Sequence, residues 1–137
     1  MGTWGVHSFQ NDSACDWVLD LEDSEGLPFV EETLREVIDC RDYLEQPTAA
    51  RAVAAAEALA CLKGNPPPAD VLRESFIEWV NEHDDQPEPG LVATALQALD
   101  RVERRPCELL ELWEESGNFE DWSASMLDLR QRLTRTS

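Results

Sequence analysis

Thr48-Ala49-Ala50-Arg51-Ala52-Val53-Ala54-Ala55-Ala56-Glu57-Ala58-Leu59-Ala60-Cys61-Leu62-Lys63-Gly64 is the stretch on which the architecture turns. It holds eight alanines between Ala49 and Ala60, and alanine is the strongest helix former. Gly64 marks its end, where a left-handed residue closes a helix. Gln46-Pro47-Thr48 reads as the break before it, with Thr48 as N-cap. Between Ala49 and Leu62 the apolar surface is interrupted by Arg51 and Glu57 alone. An apolar surface over most of the circumference predicts a buried, central helix with neighbours packed close. The run is too short, and too charged, to span a bilayer.

On either side of this helix, the punctuation predicts more of the same. Asn11 or Asp12 caps a first helix to about Asp23, with Ala14, Trp17, Val18 and Leu21 on one face. Gly26 is expected to close it, and Pro28 to open a second helix reaching about Leu44. Beyond Gly64-Asn65-Pro66-Pro67-Pro68, a stiff connector, a fourth helix is expected from about Ala69 to His83, with Leu72, Phe76, Trp79 and Val80 in a stripe. A fifth runs from about Glu88 to Arg104. Pro106 starts a short sixth that ends at Gly117, and Asn118 caps the last, holding Trp122, Met126, Leu129 and Leu133. No segment shows the two-residue alternation of a strand, and no repeat of fixed period emerges. The expectation is an all-α, compact single-domain bundle of six or seven short helices over residues 1–137.

Composition bounds the function. The chain has 137 residues and a formal net charge of −18, so phosphate backbones and anionic membranes are repelled. No nucleic-acid or membrane partner is expected; a basic protein partner is. Ten of the eleven basic residues are arginine, and with the abundant alanine this suggests a GC-rich bacterial genome. Residues 1–30 hold six acids and no Lys or Arg, which is no secretory n-region. Cys15, Cys40, Cys61 and Cys107 form no C-x-x-C pair and each falls in an expected helix near apolar neighbours, reading as reduced, buried thiols. Together these predict a cytoplasmic protein.

The opening, Met1-Gly2-Thr3-Trp4-Gly5-Val6-His7-Ser8-Phe9-Gln10-Asn11-Asp12-Ser13-Ala14-Cys15-Asp16-Trp17, is rich in glycine and aromatics. Residues 1–10 are expected to pack on the bundle, with Trp4 plugging a groove between helices rather than serving as an exposed anchor, and Phe9 touching the start of the first helix. The pattern M-G-x-W-G-x-x-x-F-x-N-D-x-A-x-D-W resembles a bacterial family described as a domain of unknown function, number 4259. The resemblance implies that this motif belongs to the identity of the fold, and it implies no activity and no site residue.

Candidate sites follow from the acids. Asp12, Asp16 and Asp20 recur every four residues and project from one side of the first helix. They form either a docking strip for an Arg-rich partner or a solvated face; as a metal site they offer oxygens from one direction, whereas Ca²⁺ takes six or more. Glu82, Asp84 and Asp85 crowd a second acidic zone around His83. There His83 is either a general base or metal ligand tuned by Asp84 and Asp85, with His7 within possible reach, or a helix-terminal histidine suited to the helix dipole. No nucleophile elbow, zinc-helix motif or phosphate loop is present. The leading expectation is a protein-binding module of the immunity, antitoxin or inhibitor type, engaging a basic partner through Asp12, Asp16, Asp20, Glu82, Asp84 and Asp85. No catalytic residue, metal or cofactor is expected in that reading. The alternatives are a metal-dependent or carboxylate-based enzyme centred on His83, Asp84 and Asp85, and a structural subunit of a homo-oligomer. Composition leaves the oligomeric state open.

Overall fold

The computed structural model describes residues 11–24, 26–67, 74–83 and 86–135. Seven helices run through them: α1 (Asp12–Glu22), α2 (Leu27–Ile38), α3 (Gln46–Leu62), α4 (Glu74–Glu82), α5 (Pro89–Val102), α6 (Glu108–Ser116) and α7 (Phe119–Thr134). The chain is an all-α bundle, and α3 is its axis, packing against each of the other six helices. Every residue from Ala52 to Leu62 is buried. Methyl side chains let neighbouring backbones approach closely, and interaxial distance follows the size of the side chains at the contact. The alanines therefore make room for six neighbours around one helix.

The amphipathic helices close around this axis along the expected stripes. Ala14, Trp17, Val18 and Leu21 of α1 are buried, as are Val30, Leu34 and Val37 of α2, Phe76 and Trp79 of α4, and Trp122, Met126, Leu129 and Leu133 of α7. Leu91, Val92 and Leu96 of α5 lie half-buried at the edge of the core. Trp17 stacks on Phe29, with ring centroids 5.5 Å apart. Its indole Nε1 donates to Thr33 Oγ1 at 2.8 Å, and Thr33 Oγ1 donates onward to the Phe29 carbonyl at 3.0 Å. The one polar atom of a buried tryptophan is thus satisfied, as burial requires.

Four boundaries differ from the sequence expectation. First, α2 stops at Ile38, six residues short of Leu44, because Leu44 is drawn into an isolated parallel bridge with Cys107. Its N–H donates to the Pro106 carbonyl at 3.2 Å, and its carbonyl accepts from Glu108 at 2.8 Å. Second, α3 begins at Gln46, with Pro47 inside its first turn, rather than after a cap at Thr48. The cap arrives from another helix: Glu108 Oε1 accepts from the Gln46 N–H at 2.7 Å. Third, Gly26 does adopt a positive φ of 86°, but with ψ −117°, and it starts α2 instead of closing α1, whose C-cap is Asp23. That corner of φ/ψ space is open to glycine. Fourth, Cys40 and Cys107 lie outside the helices, Cys107 at the N-cap of α6; of the four cysteines expected to be buried, Cys61 and Cys107 are, while Cys15 and Cys40 are half-exposed. Gly64, at φ 87°, ends α3 as expected, and the Asn65 N–H returns to the Ala60 carbonyl at 3.0 Å. The expected packing of residues 1–10, with Trp4, His7 and Phe9, and the expected start of α4 near Ala69 lie outside the described residues.

Candidate functional site

Helix α1 builds the acidic strip. Asn11 caps it, its Oδ1 accepting from the Ala14 N–H at 2.8 Å. With Trp17, Val18 and Leu21 fixed inward, the helical period turns Asp12, Asp16 and Asp20 outward together, and all three are exposed. Among the described residues none of the three forms an ion pair. Leu19 stands exposed beside Asp16 and Asp20. The strip is a row of solvated, uncompensated carboxylates with one aliphatic side chain among them.

The second zone is only partly described. Glu82 is exposed at the end of α4, whereas Asp84 and Asp85 lie outside the described residues. His83 is half-buried, and its ring stacks on Trp79 with centroids 4.3 Å apart. Its Nδ1 lies 2.7 Å from the Trp79 carbonyl. A carbonyl can only accept, so Nδ1 carries a proton and donates. The histidine thereby satisfies one of the orphan carbonyls at the end of α4. Around Gly26, a Cβ would lie 3.8 Å from His83 Cδ2, so the end of α4 abuts the turn between α1 and α2. This brings Glu82 to the same end of the bundle as the close of α1. Among the described residues no three His, Cys, Asp or Glu side chains gather closely enough to hold a metal ion.

Two of the arginines turn inward instead of toward these carboxylates. Arg132 is buried and grips Glu57, itself buried in α3: Nη2 donates to Oε1 at 2.9 Å and Nη1 donates to Oε2. Its Nε donates to Asp128 at 2.8 Å. Asn65 completes the cluster, its Nδ2 donating to the carbonyls of Arg132 at 2.9 Å and Arg135 at 3.0 Å. Burial alone would lower the Arg132 pKa, but the bonds and charge of Glu57, and then of Asp128, outweigh it and hold the guanidinium charged. Next to this pair, Cys61 has its thiol pKa pushed up, first by burial and then by the charge of Glu57.

Arg101 is also buried, and its partners are all carbonyls: Cys40 at 3.3 Å, Arg104 at 3.0 Å, Asp42 at 2.8 Å and Pro106 at 3.0 Å. It ties the loop after α2 to the loop before α6. Arg130 bridges Asp100 at 2.8 Å and Glu103 at 2.6 Å, and Arg105 pairs with Glu114. Arg101 and Arg132 stand in the last turns of α5 and α7, where a cation suits the helix dipole, and packing turns Arg101 to carbonyls and Arg132 to Glu57. Glu57, a lone carboxylate in an apolar helix, was the signal that a buried cation must meet it.

Residues 2–125 match the family described as Domain of unknown function (DUF4259), and the chain belongs to that family. No curated protein and no solved structure matches it. Among the described residues, no helix is long and apolar enough to cross a membrane.

Proposed function

We propose that this chain is a helical binding protein of the immunity, antitoxin or inhibitor type, which meets a basic protein partner in the bacterial cytoplasm through its acidic surface. The observation that carries this reading is the division of charge. Arg101 and Arg132 are turned inward, and Arg35, Arg105 and Arg130 are bound to neighbouring carboxylates, while Asp12, Asp16 and Asp20 stand exposed and unneutralised on one helix face. With a net charge of −18, such a surface accelerates encounter with a cationic cleft and repels anionic competitors. Glu82 is exposed at the end of α4, beside the turn that follows α1.

The test begins with capture of a partner from bacterial lysate at moderate salt, followed by association kinetics on the purified pair. Replacing Asp16 and Asp20 together by asparagine should slow association about tenfold or more at low salt and flatten its salt dependence, with little effect on the dissociation rate. An association rate indifferent to the double substitution would remove α1 from the interface.

A further inference from the structure

Among the described residues four large hydrophobic side chains are exposed, and Leu127 is the most open of them, at 56%. It lies in a groove of about 480 Å³ between the end of α5 and the outer face of α7, with Phe119, Ala124, Glu103, Glu120 and Arg130 also in its lining. Phe119, Ser123 and Leu127 follow one another at four-residue intervals, one turn apart along α7. Between the two bulky residues the small side chains of Ser123 and Ala124 leave the α7 backbone approachable. The groove's single cation is already shared, since Arg130 bridges Asp100 and Glu103. Glu103 and Glu120 line the groove against Arg130, whose charge is further shared with Asp100 beside it, so the groove keeps an excess of negative charge.

From this combination we infer that the α5–α7 groove is a docking site for an amphipathic helix of the basic partner. An aliphatic or aromatic anchor of that helix packs on Leu127 and Phe119, and Lys or Arg side chains flank it toward Asp100, Glu103 and Glu120. The inference rests on the basic-partner reading and adds an apolar anchor to it, away from α1. Charge selects the occupant. A second copy of this chain carries the same net charge of −18, and like-charged molecules repel. A cationic helix instead satisfies both halves of the groove, in the helix-in-groove mode of recognition.

The experiment uses the full chain and a synthetic amphipathic Leu/Lys helix as probe, with a Leu/Glu peptide of the same pattern as comparison, at about 150 mM salt. Binding is followed by fluorescence anisotropy, and amide shifts in the isotope-labelled chain locate the probe. Leu127→Ser, at an exposed position that leaves the core intact, should weaken the probe at least about tenfold, as expected on removing a central anchor. Leu112→Ser, on the exposed side of α6, should leave affinity within about twofold. Amide shifts should concentrate on α7 and the end of α5. Failure of the Leu/Lys probe to bind, or equal binding by the wild-type chain and Leu127→Ser, overturns the groove. If Asp16→Asn with Asp20→Asn weakens the probe while Leu127→Ser does not, the groove falls and the basic-partner reading stands. Equal affinity for the Leu/Glu peptide overturns both. A concentration-dependent dimer in sedimentation that Leu127→Ser abolishes would place a second copy in the groove and overturn the assigned occupant.

Discussion

Among the described residues, Glu57 with Arg132 is the most deeply buried ion pair. Both are nearly sealed from water, with side-chain exposures of 3% and 6%. Removing one partner strands the other charge, which costs about 3–5 kcal/mol, whereas replacing both by apolar groups of similar shape is often near neutral. Chemical denaturation should therefore find Glu57→Ala destabilised by about 3 kcal/mol or more, and Glu57→Leu with Arg132→Met markedly less so. Cys61 beside them gives the fold a pH dependence on the alkaline side. Its thiol pKa is raised in the folded protein by burial and by Glu57; that of Cys107 is raised chiefly by burial. The unfolded chain releases these protons first, so stability present below about pH 8.5, the ordinary thiol range, is lost as pH rises above it. Each such thiol contributes a slope of up to about 1.4 kcal/mol per pH unit. Cys61→Ala should reduce that alkaline loss in unfolding titrations between pH 8 and 10. At the start of α1, Asn11→Ala removes the cap and should lower stability by about 1 kcal/mol, with Asn11→Asp close to the parent.

Among the elements, α3 and α2 teach opposite lessons. The interior of α3 depends on small side chains, because six helices crowd one axis. Ala55 is fully buried, and Ala55→Leu forces added methyl groups into a filled space at a cost of about 1–3 kcal/mol. A fall in melting temperature of several degrees, without loss of helical circular dichroism below the transition, is the expected result. That helix was legible from its alanine run, since propensity and an all-round apolar pattern point the same way. The end of α2 was not legible. Nothing between Asp39 and Leu44 forbids a helix locally; Arg101 takes the carbonyls of Cys40 and Asp42, and Cys107 and Glu108 hold Leu44. These partners lie about sixty residues on in the chain, beyond the reach of any local pattern. The start of α3 tells the same story, because its cap is the carboxylate of Glu108.

For the whole molecule, the question is where the charge goes. A net charge of −18 concentrated on the outside implies strong salt dependence of any association with a basic partner. The four-residue spacing of Asp12, Asp16 and Asp20 was enough to place them on one face, and the buried stripe of α1 turns that face to solvent. The groove beside Leu127 could be found only in part: the stripe of Trp122, Met126, Leu129 and Leu133 leaves Leu127 off the buried face of α7, but the facing wall, Glu103 of the turn after α5, is brought there by tertiary packing. His83 could be read from its neighbours either as a base or as a helix-terminal histidine, and only packing sets its ring on Trp79 and its Nδ1 on the Trp79 carbonyl.

Read alone, the order of residues settled the helical class, the central place of the alanine run, the apolar stripes and the outward row of aspartates. These follow from periodicity, which acts over three or four residues. Long-range packing settled the rest: the early stop of α2, the borrowed cap of α3, the Glu57–Arg132 pair and the α5–α7 groove. Each joins residues distant in the chain, and such contacts form when burial makes an unpaired charge or backbone group too costly to leave.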